Sequence, residues 1–216
     1  MSIAKSIIYD GSIQRQLQSG DLLAAGEVIP ATSATAAVTL TGALLSLGNY
    51  LANPAAPITW TLDTAANIIN AISGGLGIGT IQPGTTFRWR AIITTAQTGT
   101  VVATANTGIV VNRGALASNT AKEFLVTINN GTPVQTLASM TTNASAIVTG
   151  FAPTDLAKLS VGMIVTNVVN GLQGATIIGI NIAAGSVTMS GNANATSATP
   201  VAITFSPLIT LDGLAP

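Results

Sequence analysis

The feature that most limits what this chain can become is its rhythm. Short runs of alternating apolar and polar residues are cut, at intervals of about 8–12 residues, by Gly, Pro or Asn. Ile58-Thr-Trp60-Thr-Leu62 alternates with period two, and so does Phe87-Arg-Trp89-Arg-Ala91-Ile-Ile93, which sets Phe87, Trp89 and Ala91 on one face and Arg88 and Arg90 on the other. Successive side chains of a strand point to opposite faces, so runs of this kind predict half-buried strands. Thr100-Val-Val-Ala-Thr104, Ile109-Val-Val111 and Glu123-Phe-Leu-Val-Thr-Ile128 continue the series. Asn129-Asn130-Gly131 reads as a hairpin turn, because Asn and Gly tolerate the positive φ such turns require.

One segment breaks the rhythm. Ala65, Ile68, Ile69 and Ile72 fall at helical spacing after Asp63-Thr64, either of which can cap a first turn, and Gly74-Gly75 follows as a stop. A helix of this length is marginal alone and must lay its Ile stripe on a sheet. Upstream, Val28-Ile29, a break at Pro30, Val38 and Leu40 on one side of a short strand, and Leu44-Leu45 with Leu47 lead into the connection at Pro54 and Pro57.

Residues 1–26 form an N-terminal arm with two alternating stretches, Ile7-Ile-Tyr9 and Ser12-Ile-Gln-Arg15-Gln-Leu17-Gln, broken at Gly11. The arm is expected to lie along a partner, or to be an edge strand of its own domain. Tyr9, Arg15 and Leu17 are its candidate interface residues. Arg88 and Arg90 are the candidates in the body of the chain, since Arg is enriched at interfaces; the competing reading is a solvated strand face.

Beyond about residue 132 a Thr154-Asp155 turn, the run from Val161 to Val169 and strands at 175–182, 186–189 and 201–205 predict a second unit, compact and all-β. The expected organisation is therefore an arm (1–26), a jelly-roll or β-sandwich-like module with one short helix (27–131), and a smaller barrel-like or sandwich β module (132–216).

Composition narrows function. With no Cys and no His, disulfides, thiolate chemistry, the commonest general base and the commonest metal ligand are all missing. Charged residues make up 6% of the chain, seven of each sign, where an ordinary soluble domain carries about 25%. So neutral an exterior is colloidally unfavourable for a free protein and suits a surface covered by neighbours. Mean hydropathy is +0.58, yet no run approaches the roughly 18 apolar residues of a spanning helix, and residues 1–10 contain no apolar signal core. No membrane association is expected, and synthesis is assigned to the cytoplasm. Dispersed basic residues and zero net charge give no basis for nucleic-acid binding.

Other sites are weighed and set aside. Gly74-Gly-Leu-Gly77-Ile-Gly79 follows a helix rather than a strand and lacks a Lys-Ser/Thr pair, so it reads as a loop and not a phosphate cradle. The seven acids are scattered, which favours capping and turn roles over a glycosidase pair, and no D-x-D-x-D run offers a Ca²⁺ loop. Asn143-Ala-Ser145 and Asn194-Ala-Thr196 match sequons by chance in an Asn/Thr/Ser-rich chain. No catalytic residue, cofactor or metal is expected.

Trp60-Thr-Leu-Asp-Thr-Ala-Ala-Asn-Ile-Ile-Asn-Ala-Ile72, Gly84-Thr-Thr-Phe-Arg-Trp-Arg90, Ala105-Asn-Thr-Gly-Ile-Val-Val111 and Glu123-Phe-Leu-Val-Thr-Ile128 together resemble a β-rich module of bacteriophage virion surface proteins. Leu159-Ser-Val-Gly-Met-Ile-Val-Thr166, with Ala175-Thr-Ile-Ile178, Val187-Thr-Met-Ser190 and Ala202-Ile-Thr-Phe205, is similar to a second module of phage decoration and fibre proteins. The chain departs from the first pattern in having no clear polar turn between Ile92 and Thr100. The resemblance implies a capsid decoration (cement) protein on the outer surface of the virion. Its implied partners are the major capsid protein and further copies of itself, commonly as a homotrimer. The alternative it implies is a head or tail fibre component, or an adhesin for a host receptor or glycan.

Overall fold

A computed structural model describes residues 7–10, 13–16, 37–46, 48–76 and 81–214. The chain is mainly β, as its rhythm predicts. In order the elements are β1 (Ile7–Asp10), β2 (Ile13–Gln16), β3 (Val38–Leu40), α1 (Gly42–Ser46), β4 (Asn49–Ala52), β5 (Ile58–Leu62), α2 (Ala65–Leu76), β6 (Thr85–Ile93), β7 (Gly99–Ala103), β8 (Ile109–Asn112), β9 (Ala115–Leu116) and β10 (Ala121–Asn130). There follow β11 (Gln135–Ser139), β12 (Ile147–Val148), α3 (Pro153–Leu156), β13 (Ile164–Val165), β14 (Ile177–Asn181), β15 (Ser186–Met189), β16 (Val201–Ser206) and β17 (Leu208–Gly213).

β1 and β2 pair as an antiparallel hairpin, Tyr9 opposite Gln14 and Ile8 opposite Arg15. The rest of the expected arm, Leu17 included, and the Val28-Ile29 run that follows it lie outside the described residues.

The first unit is a two-layer sandwich. One sheet has the order β4-β6-β10-β17-β8 and the other β3-β5-β7-β9. From β3 to β10 the strands alternate between the layers, so a strand and its second successor share a sheet. That winding makes β3, β5 and β7 parallel to one another, and β4 parallel to β6. With β8 parallel to β17 and three antiparallel pairings, the topology is mixed, whereas a jelly roll is antiparallel throughout. The two-sheet expectation stands in its coarser form.

Between the layers lies one core. Trp60 from β5 meets Tyr50 from β4 edge-on at 6.0 Å, and Trp89 packs on Phe124 at 5.4 Å. α2 closes it with Ala65, Ile68, Ile69 and Ile72, all buried. Its cap is Thr64, whose Oγ1 accepts the Asn67 N–H at 3.2 Å, while Asp63 Oδ1 accepts from Thr64 N and Asn67 Nδ2. The helix continues through Gly74-Gly75 to Leu76. α1 can lie against it only because position 42 is Gly: a Cβ there would stand 2.6 Å from Ile68 O. The β6–β7 connection, where no clear polar turn was legible, is held by Thr94 Oγ1 donating to Ala52 O and Thr95 Oγ1 donating to Pro54 O.

The second unit has its own core around Phe151, Leu156, Met163, Val165, Ile177, Met189, Ile203 and Phe205. Its two antiparallel sheets, β11-β16-β13 and β12-β15-β14, are tied at their corners by single bridges, Met140 to Thr149 and Ile164 to Thr176. No sheet closes into a barrel, which corrects the barrel-like alternative in favour of an open, sandwich-like pair. The expected Thr154-Asp155 turn is the short helix α3. Of the apolar run from Val161 to Val169 only Ile164–Val165 is strand.

Two readings change at the junction. Asn129 and Asn130 are the last residues of β10, not a hairpin turn. β17 also does not belong with the second unit: it sits between β10 and β8, with Ile209 and Leu211 buried in the first core. The second unit, residues 132–206, is thus inserted between two neighbouring strands of the first, where the sequence division ran it to 216.

Candidate interaction face

In the five-stranded sheet the pairing registers place side chains in rows. Inward rows carry Trp89, Ala91, Phe124, Val126, Ile209 and Leu211, all buried. Outward rows, offset by one residue, align Arg90 with Glu123, then Arg88 with Leu125, Asp212 and Asn112, then Thr86 with Thr127, Thr210 and Val110. Arg88 and Arg90, the two candidates in the body of the chain, therefore share one outer face with Glu123 and Asp212.

The charges on this face are internally matched. Arg88 forms an ion pair with Glu123, one step diagonal on the next strand, and the Arg88 side chain is 70% exposed. Asn112 Nδ2 donates to Asp212 Oδ1 at 2.6 Å. An exposed pair of this type contributes about 0–1 kcal/mol to stability. Its greater effect is on how a partner can approach, because charges at a surface fix orientation and exclude mismatched surfaces. Tyr9 and Arg15 sit in the β1–β2 hairpin, and Leu17 lies outside the described residues.

At the end of this face opens a cavity of about 430 Å³. Its floor is Leu45, Ile72, Ile81, Phe87 and Ile128, and Arg88 stands at its rim.

Sequence reasoning missed the exterior of the second unit. Val134, Ile147, Val161, Val168, Ile178 and Ile182 are all exposed, six of the seven large aliphatic side chains so placed among the described residues. Across β12-β15-β14, Ile147 faces Thr188, and Thr188 faces a bulge that contains Ile178 and Gly179. Ile178 follows the buried Ile177 and so points to the opposite, outer face, while the bulge shifts the pairing beyond it by one residue. In residues 132–206 the only formal charges are Asp155 and Lys158, which pair with each other at 2.8 Å.

The four acids whose side chains are described each have a structural partner: Asp63 takes the Thr64 N–H and the Asn67 amide, Glu123 takes Arg88, Asp155 takes Lys158 and Asp212 takes Asn112. No group of three or more Cys, His, Asp or Glu gathers among the described residues. Among them, too, no helix is long and apolar enough to cross a membrane. Burial raises the Tyr50 phenol above its ordinary pKa.

Comparison with protein-family models, with curated proteins and with solved structures finds no match to this chain.

Proposed function

We propose that this chain is a non-enzymatic structural subunit, a decoration protein that binds the assembled coat of a bacteriophage capsid and reinforces it. The observation that carries the reading is the exterior of the second unit, where 75 residues hold one self-paired ion pair and six outward aliphatic side chains. Covering such a surface removes apolar area from water, at about 25 cal/mol per Å², and no charge besides the Asp155–Lys158 pair stands to be stripped of its hydration. On a lattice, many modest contacts of this kind multiply by avidity. The mixed-charge face of the five-stranded sheet supports the same reading by giving each subunit a preferred orientation. Phage origin and a trimeric state rest on the motif resemblance alone.

The test adds purified protein to coat shells that lack it. Binding that saturates at a fixed ratio to coat subunits, with a higher temperature of shell disruption, is the expected result. Absence of binding, or binding without any gain in heat or mechanical resistance, overturns the proposal.

A further inference from the structure

An antiparallel strand that serves a single core alternates, apolar residues inside and polar residues outside. Two strands of the second unit break that pattern on the same sheet. In β12 Val148 is buried and its neighbour Ile147 is 50% exposed; in β14 Ile177 is buried and its neighbour Ile178 is 57% exposed. Apolar residues on both faces belong to a sheet covered on both sides, and the core accounts for only one of these faces. The pairing register joins the two outer isoleucines. Ile147 lies opposite Thr188 of β15, and Thr188 lies opposite Gly179 beside Ile178, so Ile147 and the bulge stand about 10 Å apart, two strand spacings. The turn between β14 and β15 adds Ile182, as exposed as Ile178 and about 10 Å beyond Gly179 along the chain. The other outward aliphatics are placed differently. Val134 precedes β11 at the connection to the first unit, Val161 O accepts from Asn130 at the junction, and Val168 lies just past β13, which belongs to the other sheet.

We infer that Ile147, Ile178 and Ile182 form the contact by which the second unit seats on the coat lattice, and that the coat surface it meets is uncharged, aliphatic and hydroxyl-bearing. The inference rests on the decoration reading above and names the partner's chemistry at that surface. Charge selects that chemistry. The only formal charges in residues 132–206 are Asp155 and Lys158, already paired with each other, so a charged group brought against the patch loses its water and gains no counter-charge. Thr188, half-buried between the isoleucines, offers a hydroxyl in their midst. Area selects the form of the partner. Three partly exposed isoleucines make a patch of a few hundred Å², against about 800 Å² per partner in a stable pairwise interface. A second copy of this chain is therefore not held by such a contact alone. An array that repeats one small footprint is the partner that suits it, because modest contacts combine there by avidity.

The test titrates coat shells that lack the protein with the full-length chain and its variants, each checked first for wild-type near-ultraviolet dichroism and unfolding midpoint. Ile178→Asp and Ile178→Lys are each expected to weaken binding about tenfold or more, and Ile147→Asp likewise. Val168→Asp, which puts the same charge at the most exposed aliphatic position, is expected to change it less than about twofold. Loss with one sign of charge at position 178 and retention with the other means a charged coat surface and overturns the inference. Equal losses at positions 178 and 168 overturn it too, as does undiminished binding of the position-178 variants. A stable wild-type dimer that Ile178→Asp dissociates transfers the patch to a second copy. Binding to phosphatidylcholine vesicles that Ile178→Asp abolishes, with shell binding intact, transfers it to a lipid surface; either result overturns the inference. All of these leave the decoration reading standing, whereas wild-type protein that binds no shell removes that reading and the inference together.

Discussion

Asn130 is polar, 1% exposed, and spends its amide across the junction between the two units. Its Nδ2 donates to Ser160 Oγ at 2.8 Å and to Val161 O at 2.9 Å, and its Oδ1 accepts the Thr132 N–H at 2.8 Å. Asn130→Ala removes a partner from Val161 O and the Thr132 N–H, while Ser160 Oγ keeps its bond to Thr132 Oγ1; losing a buried hydrogen-bond partner costs about 1–3 kcal/mol, and the midpoint of urea unfolding measures it. Ser139 is the opposite case, since its Oγ is buried with no hydrogen-bond partner. Ser139→Ala removes a desolvated hydroxyl and is expected to be neutral or stabilising by up to about 1 kcal/mol, read as a shifted midpoint at constant slope. Tyr50 contributes to the alkaline side of the stability profile. Because burial raises its folded pKa above the unfolded value of 10.0, the stability it contributes is complete below about pH 10 and is lost as pH rises through the folded value. With no His or Cys, no side chain has an ordinary pKa between pH 5 and 8. A thermal-unfolding series should therefore be level across that interval and fall above pH 10, and Tyr50→Phe should remove part of the fall. Asn130 also marks where single residues mislead: Asn-Asn-Gly carries the chemistry of a turn, but the partners that hold it in a strand stand some 30 residues away, beyond any local window.

Elements were legible where burial follows local geometry. β5 throughout, β6 from Trp89 and β10 from Phe124 bury every second side chain, so their period of two survives in the sequence. α2 was legible because a cap, an Ile stripe and a glycine pair agree. Elements were illegible where a neighbour decides the conformation. The run at Val161 to Val169 is mostly apolar, interrupted by Thr166 and Asn167, yet Gly162 at φ 91°, Asn170 at φ 42° and Gly171 at φ 74° bend it and its surroundings, and Val168 is 80% exposed. Two substitutions test the helices. Thr64→Ala removes the α2 cap and should cost about 1 kcal/mol. Gly42→Ala forces a methyl against Ile68 O and Ala71 Cβ, 2.6 and 2.7 Å away, and prises α1 from α2 at a cost of about 1–3 kcal/mol.

For the whole molecule, the main departure from the sequence reading is nesting. Alternating runs identify strands, but nothing local says that Leu208–Gly213 returns to the first sheet across the intervening 75 residues. Pairing is non-local by nature, and only the completed core, with Ile209 and Leu211 inside it, selects β17 as the strand between β10 and β8. Truncation after Ser206 removes an interior strand of the five-stranded sheet. It is expected to abolish the near-ultraviolet dichroism of Trp60 and Trp89, which a truncation of a peripheral tail would leave intact. The candidate face was half legible: Arg88 and Arg90 could be placed on one side of a strand, while Glu123 and Asp212 joined them only through register.

A body spliced into another is held by two peptide threads, here at residues 131–134 and 206–208, and two threads do not allow the swivel that one permits. Torque or tension applied to the outer lobe is therefore delivered to neighbouring strands, β10 and β17, which are already hydrogen-bonded side by side. Load of that kind divides along a ladder instead of concentrating at a single hinge, a mechanical property suited to anything that must grip a surface under strain.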